Sequence, residues 1–389
     1  IENCAGLVIS SIQPTGNFST INWVNNNTTI GLANSGNTII PSFTLSNSSN
    51  STPNSATVSV TPLNTNQGVQ CFGAIVDFQI TVNPIPENNL TPDIELCNGD
   101  LTPAIQFAGS GTYYDWTNDN TSIGLGVAGS GDIASFSGTN NLSVDNISSI
   151  SVTPVFVSTT GQLCEGTSDS FTLTVHPSPV IDPITDFDLC NGDNFSVPVI
   201  TSVQSIVTWS ALDNQDVTGE STFVQTTPVV SNTLNNSTSN IETVNYAINA
   251  TSVPFGCAGL SESLNVNVIP DVFITSGNNM EICSGVSASV FLTANVPSDF
   301  TWFATDNPNV SGESTVITNG SVINDVLINT TNIPQLVVYS VIPTSQQGGC
   351  QGQAQTVTVI VNPPIELISP LSTEICSGDI VDLQLVANA

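Results

Sequence analysis

The chain has 389 residues, no Lys or Arg, 31 Asp or Glu and a single His, for a formal net charge of −31. That composition excludes phosphate binding through basic side chains, attraction to an anionic membrane, and catalysis by Arg clamps or Lys Schiff bases. Charged residues make up only 8 % and hydrophobic ones 39 %, so Asn, Ser and Thr supply the polarity and packed cores are expected rather than an acidic disordered tail.

From the N-terminus, no basic-then-apolar leader precedes Ile1, and no apolar run is long enough for a membrane-spanning helix. The first landmark is Cys4, followed by Cys71, Cys97, Cys164, Cys190, Cys257, Cys283, Cys350 and Cys376. Gaps of 67 and 26 alternate without slippage, which sets a period of 93. Trp23, Trp116, Trp209 and Trp302 keep the same step, each 19 residues after the first Cys of its unit. Glycine stands two after every Cys, and Pro84, Pro177, Pro270 and Pro363 close each unit. The period divides the chain into repeats at 1–86, 87–179, 180–271 and 272–364. Residues 365–389 read as the start of a fifth, so the sequence is expected to be a window of a longer chain.

Within each unit the local pattern is β. Before the closing prolines, apolar residues alternate as Phe78/Ile80/Val82, Phe171/Leu173/Val175, Leu264/Val266/Val268 and Val357/Val359/Val361. Period-two alternation with Thr, Ser or Asn between predicts half-buried strands, and Gly, Asn, Ser and Pro clusters interrupt them every 8 to 12 residues. The expected fold is all-β: tandem immunoglobulin-like, PKD-like sandwiches of about seven strands forming an elongated rod, with the Trp of each unit in the core from strand C. Repeats 1 and 2 share "IGL" at 30–32 and 123–125; repeats 3 and 4 share "VTGEST" at 217–222 and "VSGEST" at 310–315.

The set "LCNGD", "ICSGV" and "ICSGD", a Trp about 19 residues on, then "VTP", "C-x-G" and "TVNP" or "TVHP" resembles the PKD-like, immunoglobulin-like repeats of giant surface proteins in Bacteroidota. Gliding-motility adhesins of the SprB type are the best-known bearers. The resemblance covers the whole chain. It implies export by the type IX system, assembly into cell-surface filaments, surface adhesion, and secretion and motility machinery as partners. The complete lack of Lys and Arg departs from ordinary members.

The cysteines read as disulfides of an extracytoplasmic protein. Two connectivities compete. Pairing within repeats joins Cys4–Cys71, Cys97–Cys164, Cys190–Cys257 and Cys283–Cys350, leaving Cys376 alone. In immunoglobulin topology, however, the two cysteines of one unit lie about a strand length apart, roughly 25–35 Å. Head-to-tail stacking would then join neighbours, as Cys4–Cys164, Cys97–Cys257 and Cys190–Cys350. Zinc lacks CxxC or His partners. Without Lys there are no Lys–Asn isopeptide bonds, which leaves disulfides as the covalent reinforcement.

An acid precedes each first Cys by two: Glu2, Glu95, Asp188, Glu281 and Glu374, and Asp100, Asp193 and Asp379 follow at +3. These are candidate calcium ligands, Glu95, Asp100, Asp188, Asp193, Glu374 and Asp379 foremost. The competing reading has the +3 Asp close a turn on backbone N–H groups while the −2 acid faces solvent; Leu7 and Val286 at +3 favour it. His176, beside Pro177 at a strand end, is not expected to be catalytic, and the acids recur with the repeat instead of converging as a hydrolase pair would. Asn/Ser/Thr-rich loops at 25–29, 46–52 and 235–240 offer neutral hydrogen-bond groups to surface or polysaccharide ligands, or serve solubility alone. No enzyme and no cofactor are expected. Nucleic acid and membrane insertion are not expected as partners, and the location is the extracellular cell surface. Two functions compete, a shaft that itself adheres and a passive disulfide-braced spacer displaying an adhesive or polysaccharide-degrading domain.

Overall fold

A computed structural model describes residues 1–369, 372, 374–382 and 384–387; part of the expected fifth repeat therefore lies outside the described residues. Two compact units form, Ile1–Ser178 with Ser252–Cys257, and Pro179–Thr251 with Ala258–Ala389. The boundary at 178/179 falls beside the closing proline of repeat 2. The excursion at 252–257 belongs with the first unit because a disulfide and a ring stack, described below, hold it there.

Repeat 3 shows how the alternating pattern becomes a sandwich. On Glu262–Ile269, Leu264, Val266 and Val268 point one way and are fully buried. This strand pairs antiparallel with Glu242–Ser252, whose inward residues are Val244, Tyr246, Ile248 and Ala250. The sheet continues to Ser205–Ala211, which brings in Trp209, and is closed on the other side by Phe187–Cys190 in parallel register with 266–269. Asn194–Pro198 pairs with Val229–Thr233 in a separate ladder that contributes Phe195 and Val230 to the same core. Burying each Val, Leu or Phe contributes about 1.5–3 kcal/mol, so the alternation is the main source of cohesion. Every full repeat has such a core, and the array is a series of tandem immunoglobulin-like β-sandwiches.

One pairing recurs in strict register. The strand that carries the first Cys lies parallel to the last strand of its own repeat, and the Cys sits opposite the residue just before the closing proline. The pairs are Cys4↔Asn83, Cys97↔His176, Cys190↔Ile269 and Cys283↔Asn362. Proline has no N–H to continue the ladder, so the strand stops there.

All four tryptophans are buried. The two sequence subtypes differ in how they hold the indole. In repeats 1 and 2, Gly36 and Gly129 pack flat on it, and a Cβ at either would lie 2.5 or 2.3 Å from the ring. In repeats 3 and 4 the indole N–H instead donates to a carbonyl, Thr227 at 3.1 Å and Gly320 at 3.2 Å. The "IGL" of repeats 1 and 2 closes single 3-10 turns, Thr28–Ile30 and Thr121–Ile123, with Asn27 and Asn120 as N-caps. The "VTG" and "VSG" of repeats 3 and 4 begin instead as the short strands Val217–Thr218 and Val310–Ser311.

Candidate functional site

The first Cys of repeats 1 to 4 ends its strand at a turn that only glycine accommodates easily, and Cys376 precedes the same kind of turn. Gly6, Gly99, Gly192, Gly285 and Gly378 have φ of +84, +90, +81, +81 and +102°. At Asp100 and Asp379 the side chain closes this turn on the backbone, whereas Asp193 contributes only its own backbone N–H. The Cys97 N–H donates to Asp100 Oδ2 at 3.3 Å and the Cys376 N–H to Asp379 Oδ2 at 3.2 Å, while the Asp193 N–H returns to the Cys190 carbonyl at 3.1 Å.

The second Cys lies ahead of the last strand. Cys164, on Leu163–Glu165, precedes Asp169–His176, whereas Cys97 is paired at the far end of that same strand. Eight residues at ~3.3 Å each separate the two positions by about 26 Å. A disulfide tolerates less than ~7 Å between Cα atoms. Pairing within a repeat is therefore overturned. The bonds are Cys4–Cys164, Cys97–Cys257 and Cys190–Cys350, with Cα separations of 5.6, 5.5 and 5.5 Å and a constant sequence separation of 160. Cys71 and Cys283, counted among the bonded cysteines on sequence grounds, are free and exposed, as is Cys376. The 160-residue register offers none of the three a partner within residues 1–389.

The second set of glycines is explained at the same place. A Cβ on Gly166, Gly259 or Gly352 would lie 2.0, 2.2 or 2.0 Å from the carbonyl oxygen of Pro86, Pro179 or Val272, in the linker that opens the repeat. The motif C-x-G thus lets the cysteine hairpin close onto backbone. Gly352→Ala is expected to destabilise the second unit by about 1–3 kcal/mol and to speed reduction of Cys190–Cys350, measured by calorimetry and timed alkylation. Gly73→Ala is the control: its nearest neighbour is the Pro62 side chain at 3.5 Å, and it should change neither readout.

Two of the −2 acids, Glu2 and Asp188, brace the same junctions by reaching the hairpin of the next repeat. Glu2 accepts from Thr160 Oγ1 at 2.6 Å and from Asn83 Nδ2 at 2.9 Å. Asp188 accepts from Gln347 and Asn267, both at 2.9 Å. Glu281 accepts from Asn362 at 2.7 Å. Glu95 lies instead 3.8 Å from His176 Nε2. Among the described residues no three acid, Cys or His side chains converge as a metal cage would require. The Thr160 hydroxyl first, then Asn83, lowers the Glu2 carboxyl below its usual range. A depressed carboxyl stabilises the fold above its unfolded pKa, and that stability is lost as pH falls through the folded value. Glu2→Gln should therefore cost a few tenths of a kcal/mol at pH 7, and its melting curve should merge with the parent's once pH falls below the lowered Glu2 value.

His176 is 3 % exposed. Its Nδ1 lies 2.8 Å from Asp145 Oδ1, and its ring stacks on Phe255, centroids 3.3 Å apart and 13° from parallel. Its register partner is Cys97 and Phe255 is two residues from Cys257, so the ring pair packs beside the Cys97–Cys257 bond. In the second unit the corresponding bond is wrapped by Ile269, Val272, Val296 and Ile241.

The Asn-rich loops are largely committed to the fold. Asn47, Asn140, Asn236 and Asn329 each donate from one side-chain amide to the carbonyl of Val82, Val175, Val268 or Val361 and to a second carbonyl of their own loop. Asn25 similarly donates to the Asn27 and Leu32 carbonyls. Sequence reading missed this role, although the 93-residue spacing of Val82, Val175, Val268 and Val361 marks the acceptors.

A model of the PKD-like domain matches residues 187–272 and 280–364, repeats 3 and 4. Similar solved structures include the I-band fragment I67–I69 of titin, 12 % identical, covering 72 % of this chain and 98 % of its own, TM-score 0.34. The extracellular cadherin domains 3–6 of protocadherin gammaB7 are 11 % identical, covering 93 % and 98 %, TM-score 0.29. The N-terminal eight immunoglobulin domains of Down syndrome cell adhesion molecule are 10 % identical, covering 93 % and 46 %, TM-score 0.36. No curated protein matches the sequence.

Proposed function

Starting from an immunoglobulin- and PKD-like repeat protein, we propose that this chain is a structural and adhesive shaft segment of an extracellular surface protein. The observation that carries this reading is the interlacing of the disulfides, each of which spans from one repeat to the next. Disulfides persist in oxidising surroundings outside the cytoplasm, and cross-linking neighbours resists extension in a way that a soluble enzyme does not need. The resemblance in sequence to gliding-motility adhesins makes attachment during surface movement, after export by the type IX route, the specific form of the proposal. Many weak contacts along successive repeats would sum by multivalency.

Retention of the oxidised chain on glass and on polysaccharide-coated sensors, with and without Ca²⁺, tests the adhesive part. Retention above that of an unrelated acidic protein supports it, and loss on chelation would return the −2 acids as calcium ligands. No retention on any surface leaves the spacer reading. That second reading is favoured by one observation: the asparagines best placed to meet a ligand spend their amides inside their own repeats.

A further inference from the structure

Repeats 3 and 4 turn the same sheet outward but clothe it differently. In repeat 4 the sheet runs Asn279–Cys283, Gln355–Asn362, Gln335–Ser345, Ser298–Thr305 and Thr318–Asn319 in spatial order. Val337, Tyr339, Val341, Val359 and Trp302 fill the core from its inner side. Alternation therefore turns Leu336, Val338, Ile342, Phe303 and Ile360 outward. Leu336, Ile360 and Phe303 are exposed by 51, 39 and 36 %, and Leu336 lies directly opposite Ile360. One period earlier the same five positions hold Thr243, Asn245, Asn249, Ser210 and Asn267. There the side chains bond across the strands, the Thr243 hydroxyl donating to Asn267 Oδ1 at 2.8 Å and the Asn245 amide to Asn265 Oδ1 at 2.7 Å.

Neighbouring repeats do not cover this face. Repeat 3 has a repeat on each side and still leaves Thr243 and Asn249 exposed. An outward apolar cluster that spans three strands marks an interaction site, and the charge around it selects the occupant. Glu281 is the register partner of Ile360. Asp299 stands on the outward side of Ser298–Thr305, where repeat 3 has Ile206. Both carboxylates are exposed and accept from side-chain amides, Glu281 from Asn362 at 2.7 Å and Asp299 from Gln346 at 3.0 Å. A second copy would set these acids against its own, with no Lys or Arg in either chain to pair them, and like charges across an interface oppose association.

We infer that this face of repeat 4 docks the apolar β-sheet face of a different protein whose rim carries Lys or Arg. Sheet faces pack on one another about 10 Å apart with their side chains interdigitated. Leu336, Val338 and Ile360 form the apolar centre of the contact, and Glu281 and Asp299 meet the partner's cations at its edge. The contact is separate from adhesion to a surface and serves a passive spacer equally well.

Three cyclised β-hairpins test this: one with a Val face rimmed by Lys, one with the same face rimmed by Glu, and one with a Ser face rimmed by Lys. The Val–Lys hairpin should bind the native oxidised chain. It should bind about ten-fold or more weakly to the triple variant Leu336→Thr, Val338→Asn, Ile360→Asn, which carries the residues that repeat 3 already folds with at those places. The Ser–Lys hairpin should bind parent and variant alike, since it reads net charge alone, and the Val–Glu hairpin should bind neither. Val326→Thr with Ile328→Asn is the control, made at exposed apolar residues of a separate sheet of repeat 4; it should leave Val–Lys binding unchanged. Calorimetry and mapping of Cys190–Cys350 check that each variant is folded. Four results overturn the inference: equal binding of the Val–Lys hairpin to parent and triple variant, equal binding of the two Val-faced hairpins, loss of binding in the control, or a parent dimer in sedimentation that the triple variant abolishes.

Discussion

Pulled from its two ends, the oxidised chain is expected to reach a limit of about 70 residues of contour, ~240 Å at ~3.5 Å per residue. The shortest covalent path runs through residues 1–4, crosses Cys4–Cys164, follows 164–190, crosses Cys190–Cys350 and leaves through 350–389. Everything else is shielded from tension. With reductant the same chain should extend to about 1,360 Å at that rise. Bonds within repeats would leave about 125 residues on the path, ~440 Å, so single-molecule force spectroscopy separates the connectivities by length alone. The variants make the test sharper. Cys97→Ser should not change the limit, because the middle bond lies off the shortest path. Cys190→Ser should raise it to about 200 residues, since tension then doubles back from 164 to 97 and crosses to 257. A limit near 125 residues in the parent, or a longer one in Cys97→Ser, would refute the interlaced scheme.

Replacing Trp302 by Ala is expected to have the largest effect of any single core change in the second unit, about 3–5 kcal/mol. The indole is 2 % exposed, meets Tyr339 edge-on with centroids 5.7 Å apart, and donates to the Gly320 carbonyl at 3.2 Å. Removing it leaves a cavity among Phe300, Val341, Val357 and Val359, together with an unmatched carbonyl. For a domain near 90 residues that corresponds to a calorimetric transition lowered by ~15 °C or more. The scan should be read transition by transition, because a multi-repeat chain need not unfold as one unit. A shift below about 4 °C would mean that the indole does not hold the sandwich together.

The folding pattern was legible because its signals are local or strictly periodic. Leu264, Val266 and Val268 alternate with polar residues, and alternation has one physical solution, a strand with one face inward. The tryptophans and the glycines after each first Cys could be placed from the 93-residue step alone. The bond that Asp100 accepts at its turn was legible, since Cys97 and Asp100 are neighbours in any conformation. Less was legible of Asn47 and its equivalents. Their amides reach the last strand some thirty residues on, and a polar loop gives no sign of whether its amides point inward.

The sequence by itself determined the repeat, the β class, the core tryptophans and the glycines of both cysteine motifs, because each follows from spacing within one unit. Only the tertiary structure decided which sulfurs join. The first strand lies parallel to the last, which carries the two cysteines of a repeat to opposite ends and leaves each within bonding reach of a neighbour's. The same contacts decided that Glu2 meets Thr160, that Asp188 meets Gln347 and that His176 stacks on Phe255. These pairs are 79 to 159 residues apart. No local pattern encodes them; they form because the hairpin of the following repeat is brought against the turn that carries the first cysteine.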